Sequence, residues 1–176
     1  MIPSMSISAF TSVHVAMSLV AMLAGFFVVR SLFASRKPAA TTAFFLLTAV
    51  ATSLGSFCFP FTQPGLGHVV GNLSLLVLAV TMPALYGFRL AGPWRWIYAA
   101  GATSALYLDV VIGVAQIFAK TPLLQSLALT HAAPLFLAAQ CVVLAIFGAL
   151  GVRATRRFHP ETAPLPARRS RLAVWI

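Results

Sequence analysis

Asp109 is the residue with the most chemistry to offer. It is one of only two acids in the chain, the other being Glu161, and it lies inside a long apolar run. A carboxylate deep in a bilayer costs up to roughly 2.5–3.5 kcal/mol on insertion scales, and no Lys or Arg sits at matching depth in another apolar run. Asp109 is therefore expected to be protonated, hydrated in a cavity, or held by neutral donors. Ala102, Ala105, Asp109, Gly113 and Gln116 recur at three- or four-residue steps. Small residues on one stripe let a second helix approach closely. This predicts that Asp109 and Gln116 face the interior of a helical bundle, as a proton-handling or ligand-binding pair or as structural glue between helices. Asn72 is a candidate donor to Asp109. Gln140, at comparable depth, is expected to contact another helix or another subunit.

Three histidines form a second group. His14, His68 and His131 stand at the starts of the first, third and fifth apolar runs. Each heads a stripe of small or polar residues: Thr11, His14, Ser18, Ala21, Gly25; then His68, Gly71, Asn72, Leu75, Ala79; then His131, Pro134, Ala138, Cys141, Ala145, Gly148. If the stripes are helix contacts, the imidazoles approach one another. They would then suit zinc, copper or iron, with Met17 as a soft ligand one turn below His14. Two could flank a haem iron, or the set could pass protons toward Asp109, because imidazole titrates near neutral pH. No pair has a metal-motif spacing such as HxxxH, and ordinary hydrogen bonds at a water–lipid interface are the plain alternative.

The elements that must position these residues are membrane spans. Apolar runs cover roughly residues 10–33, 42–60, 67–88, 96–118 and 130–152, each near the ~20 residues that cross a bilayer as helix. Of 176 residues, 60% are hydrophobic and 8% charged, with mean hydropathy +0.96; soluble domains are nearer a quarter charged. The fold class expected is all-α, a single five-helix transmembrane domain over 1–152 followed by a basic tail, 153–176. Eleven of the twelve Lys and Arg residues fall on one side of this arrangement, and only Lys120 falls on the other. The positive-inside rule then predicts N-terminus out and C-terminus in. The three histidines come to the outer face, and the tail to the cytoplasmic one.

Asp109 is 14 residues beyond Arg95, about 21 Å along the helix at 1.5 Å per residue. Pro83 lies inside the third span and is expected to kink it. Cys58 and Cys141 lie at different depths, which argues against a disulfide. The first span has no basic residues before it and is too long for a cleaved signal peptide.

The net charge of +10 does not point to nucleic acid, because the charges flank spans rather than forming a face with interleaved aromatics. They fit contacts with anionic headgroups. No nucleophile–base set, paired carboxylates or glycine-rich phosphate loop is present, so hydrolase and ATPase chemistry has no residues to carry it.

Thr42 to Phe61 (TAFFLLTAVATSLGSFCFPF), Gly92 to Tyr98 (GPWRWIY) and Ala105 to Pro122 (ALYLDVVIGVAQIFAKTP) resemble an uncharacterised family of small bacterial five-span integral membrane proteins. The likeness runs from about His14 to Arg157. It implies a bacterial cytoplasmic membrane and supplies no catalytic or ligand residues. The function expected is a non-catalytic membrane component. It would bind a small ligand, metal or redox cofactor such as haem near the outer face, or serve as an accessory subunit beside a membrane-complex partner or a second copy. The alternatives are a proton-coupled transporter or channel using Asp109, and a membrane oxidoreductase using haem or quinone.

Overall fold

The computed structural model describes residues 7–36, 39–59, 66–122, 124 and 132–160. Five long helices account for nearly all of them: α1 (Ile7–Phe33), α2 (Ala39–Gly55), α3 (Leu66–Met82), α4 (Trp94–Lys120) and α5 (Ala132–Arg157). Each of the five is long and apolar enough to cross a membrane, as in a multi-pass membrane protein. A single 3₁₀ turn (Ser56–Cys58) extends α2, and a π turn (Pro83–Gly87) extends α3.

Successive helices run in opposite directions. One end of the bundle carries Arg30, Arg36, Arg89, Arg95, Arg153, Arg156 and Arg157 and is called the basic end; His14 and His68 mark the opposite, histidine end. α1 packs on α2 and α4, and α3 packs on the same two, so α1–α4 close into an antiparallel four-helix square. α5 lies outside the square, chiefly against α4 and along an edge of α1.

Helices in a bilayer gain little from burying apolar surface, so close approach decides how they pack. Gly25, Gly71 and Gly101 provide it, and a Cβ on Gly71 of α3 would meet the Ser56 side chain at the end of α2. A Cβ on Gly25 of α1 would stand 2.7 Å from Leu106 Cδ1 and 2.8 Å from Phe45 Cε2. A Cβ on Gly101 of α4 would meet the Thr81 side chain of α3. Thr81 tolerates full burial because its hydroxyl donates to the Val77 carbonyl at 2.7 Å.

The π turn follows from Pro83, which has no N–H to continue the helical ladder. The Phe88 amide instead donates to the Pro83 carbonyl at 2.8 Å, and the Leu90 amide to the Ala84 carbonyl at 3.0 Å. Arg89 and Leu90 turn the chain with φ of 50° and 62°, conformations costing roughly 1–3 kcal/mol each outside glycine. In return Leu90 tucks into the core and Phe88 stacks on Trp94 at 3.7 Å.

At the far side of the basic end, α5 continues to Arg157, five residues beyond the span read from hydropathy. Arginine is a good helix former and extends its stem along apolar surface. The Ser35 hydroxyl donates to the Arg157 carbonyl at 2.8 Å and accepts from the His159 amide at 3.2 Å. This clamp seats Phe158 in the core against Tyr98.

The hydrophobic core cluster lies in the basic half, while α2 and α3 stay packed toward the histidine end, where Thr52, Ser53, Ser56, Val70 and Gly71 are buried. It is built from Val28, Val29 and Leu32 of α1, Phe45, Leu46 and Ala49 of α2, Leu78 of α3 and Tyr98 to Leu106 of α4, closed by Ala154 and Phe158. Toward the histidine end, no described residue of α1 before Ala21 is buried, and none of α4 beyond Leu108. Substituting Gly25 by Val is expected to lower bundle stability by about 1–3 kcal/mol through overpacking. Gly67→Ala, where a Cβ meets nothing within 4 Å, is expected to leave stability equal or raise it by up to ~1 kcal/mol through helix propensity. Thermal unfolding midpoints in detergent micelles separate the two.

Candidate functional site

Asp109 stands where the burial of α1 and α4 ends, between their packed basic half and their thinly packed histidine half. Leu106, one turn nearer the basic end, is fully buried against Gly25 and Phe45. Gly113, one turn nearer the histidine end, faces Met22 of α1, 3.0 Å from where its Cβ would be. Asp109 falls between them on the same stripe, on the side of α4 that meets α1. Its Oδ2 is buried and has no hydrogen-bond partner.

Two further unpaired polar atoms share this level. Thr81 of α3 meets Gly101 of α4. Because the helices are antiparallel, seven residues along each from that contact lie Ser74 and Leu108. Ser74 is 3% exposed, and its Oγ is unpartnered. On the other side of α4, Gln140 of α5 donates through Nε2 to the Val111 carbonyl at 3.1 Å, while its Oε1 is buried without a partner. Most other buried or half-buried hydroxyls here back-bond to a carbonyl three or four residues earlier, as Ser18 does to His14 and Thr52 to Thr48. Buried polar atoms without partners are uncommon in folded proteins, and three at one level make a polar belt across the middle of the bundle.

Only part of the expected set gathers at this belt. Asp109 faces the bundle as its stripe predicts, and Gln140 contacts another helix as expected. Gln116 does not face inward: it is exposed, because α4 beyond Leu108 runs where the packed core has ended. Asn72 is also exposed and is not the donor to Asp109. The buried stripe of α3 is Gly71, Ser74, Leu78 and Thr81, so Asn72 is about 100° out of line. Ser74 is the residue that the sequence reading missed. Its spacing of three from Gly71 and four from Leu78 was the available signal.

The histidines do not form one cluster among the described residues. The His14 ring sits over Gly55, with Nδ1 3.0 Å from where a Cβ would be, and meets Phe59 edge-on at 5.4 Å. The His68 ring meets Phe57 at 6.2 Å. Both therefore pack on the end of α2 and the turn that follows it, through different phenylalanines. His131 lies outside the described residues. The stripe that follows it, Pro134, Ala138, Cys141, Ala145 and Gly148, is exposed, and α5 turns the opposite face toward α4. Among the described residues no group of three or more His, Cys, Asp or Glu is arranged to hold a metal ion. Cys58 and Cys141 are both free and exposed.

No protein-family model, no curated protein and no solved structure matches this chain.

The unpaired carboxyl oxygen yields a direct prediction. Removing a buried polar group that lacks a partner is neutral or stabilising when the replacement fills the same space. Asp109→Leu is therefore expected to be at least as stable as the wild type, by up to ~3 kcal/mol. A loss of stability, measured by thermal unfolding in detergent, would show that Asp109 is held by partners and is structural.

Proposed function

We propose that this chain is a non-catalytic component of a bacterial cytoplasmic membrane, with its basic end in the cytoplasm and its histidine end outside. Its outer half takes up a small ligand, metal or redox cofactor between the helices, and Asp109 is the polar anchor at the floor. The observation that carries this reading is the buried, unpartnered Asp109 Oδ2, placed where the sealed core stops. A carboxyl in that position is completed by a donor or a cation that enters from the loosely packed side. Ser74 Oγ at the same level adds a hydroxyl that can both donate and accept.

A role beside a partner is supported by α5. Ala138, Cys141, Ala145 and Gly148 are exposed at helical spacing, and a small stripe of this kind lets another transmembrane helix approach closely. The ligand-binding and accessory roles are compatible, since a partner on α5 leaves the α1–α4 square untouched.

Proton-coupled transport is the second reading, favoured by the mid-depth position of the only acid among the spans. It requires the basic half to open, where Phe45, Leu46 and Leu106 are fully buried.

Elemental analysis for iron, copper and zinc on detergent-purified protein tests the metal form of the proposal. Near-stoichiometric metal that falls in Asp109→Asn and stays in His14→Ala, whose ring lies about 18 Å further along the bundle, is the expected result for a metal site at Asp109. Metal-free protein leaves an organic ligand, and metal unaffected by both substitutions overturns the site. In vesicles loaded with a pH dye, the binding reading predicts no proton flux above empty vesicles. A flux abolished by Asp109→Asn would establish transport instead.

A further inference from the structure

A groove of about 600 Å³ runs between α4 and α5 at the basic end, well away from the Asp109 level. Its polar wall holds Arg95 and Trp96 from the first turn of α4, Arg156 from the last turn of α5, and His159 just beyond it. One turn closer to the membrane centre, the wall becomes Ala100 on α4 with Gly151 and Val152 on α5. The groove is thus cationic at its mouth and apolar inward, over a step of about 6 Å, one turn of each helix.

Arg95 Nε is buried and makes no hydrogen bond. A guanidinium donor shut away from both water and an acceptor is costly unless an anion reaches it. Arginine presents its donors as a planar fork that matches a phosphate group bidentately. The α4 N-terminus adds to the same field: Pro93 gives no side-chain cap, and the amides of a helix's first turn favour negative charge. The chain's acids offer little competition. Asp109 is about 21 Å away along α4, and Glu161 follows outside the described residues with a single charge against two arginines.

We propose that this groove is a binding site for one anionic phospholipid, whose phosphate is held by Arg95 and Arg156 and whose acyl chain lies along Ala100, Gly151 and Val152. The polarity of the walls selects a lipid over a soluble anion, because a free phosphate would use the mouth and leave the apolar wall empty. Trp96 and Val152, each 51% exposed, open the groove laterally to the surface that faces lipid. Trp96 also brings an indole N–H to headgroup level, where tryptophan is favoured. The groove has a fixed floor. The Ser35 clamp on Arg157 and His159 and the buried Phe158 hold the end of α5 in place beside α4. The site is independent of the outer-half ligand, so either proposal can fail alone.

The test is lipid titration of the detergent-purified full chain, read by native mass spectrometry as the fraction carrying one lipid. Phosphatidylglycerol, phosphatidylcholine and inorganic phosphate are compared on wild type, Arg95→Gln, Arg156→Gln and Arg30→Gln. Arg156 and Arg30 are exposed, so folding does not confound those two variants. The expected result is one phosphatidylglycerol retained in preference to phosphatidylcholine. Its affinity should fall about tenfold or more in Arg95→Gln and Arg156→Gln, as loss of a charge-assisted hydrogen bond implies. It should be unchanged in Arg30→Gln. Equal loss in Arg30→Gln would reduce the effect to diffuse charge and overturn the site. Phosphatidylcholine binding as tightly as phosphatidylglycerol would overturn it too. So would inorganic phosphate at millimolar concentration displacing the lipid, by showing that the apolar wall contributes nothing.

Discussion

The bare face of Gly25 allows Leu106 and Phe45 to meet on the bundle axis, and the rest of the architecture depends on that contact. A side chain at position 25 would push α1 away from both α2 and α4. With the contact in place, Val28, Leu32, Leu46 and Tyr98 close the axis below it. Above it the next residues on the same stripes are Asp109 and Gly113 on α4 and Ala21 and Met22 on α1; Met22 reaches Gly113, and no described residue of α1 before Ala21 is buried. Between α1 and α4 the bundle therefore seals on one side of a single layer and packs more thinly on the other. The asymmetry gives Asp109 its unusual setting: it is close enough to the seal for one oxygen to be buried, and far enough above it to be left without a hydrogen-bond partner.

The two sites considered lie on opposite ends of α4 and share a physical logic. Each has a buried polar atom without a partner, Asp109 Oδ2 in one and Arg95 Nε in the other, and each opens away from the packed core. They differ in sign and in polarity of surroundings. The Arg95 groove combines cationic and apolar walls at headgroup level. The Asp109 level combines a carboxyl with hydroxyls inside the bundle. One helix thus carries an anion-seeking group at its start and a donor-seeking group past its middle, separated by the sealed layer.

Much of the fold was legible in the sequence because bilayer thickness is a strong constraint. Five runs of about 20 apolar residues have few other fates, and Pro83 announced the break in α3 that appears as a π turn. The inward face of Asp109 was legible because Ala102, Ala105 and Gly113 are small on one stripe and α1 meets that stripe. The same reasoning failed on α3 and α5. Asn72 and Ser74 are both polar and adjacent to small residues, and nothing local decides between stripes that differ by two positions. On α5 the small stripe from Ala138 to Gly148 suits either a helix within the chain or one outside it. Phe136, Gln140, Phe147 and Ala154 won the inner contact because Phe118, Tyr107 and the Val111 carbonyl were there to receive them. Which partner a helix face finds is tertiary information, and single-helix periodicity does not hold it.

Between α1 and α4 the bundle is sealed on one side of the Leu106 layer and reachable on the other. Single cysteines at Ser18, Gly113, Val28 and Ala102, in a background with Cys58 and Cys141 replaced by Ser, test it directly with a membrane-impermeant thiol reagent on the reconstituted protein. Labelling is expected at 18 and 113 from the histidine side and at neither 28 nor 102 from either side. Labelling at 28 and 102 as fast as at 18 and 113, or at none of the four, would contradict it.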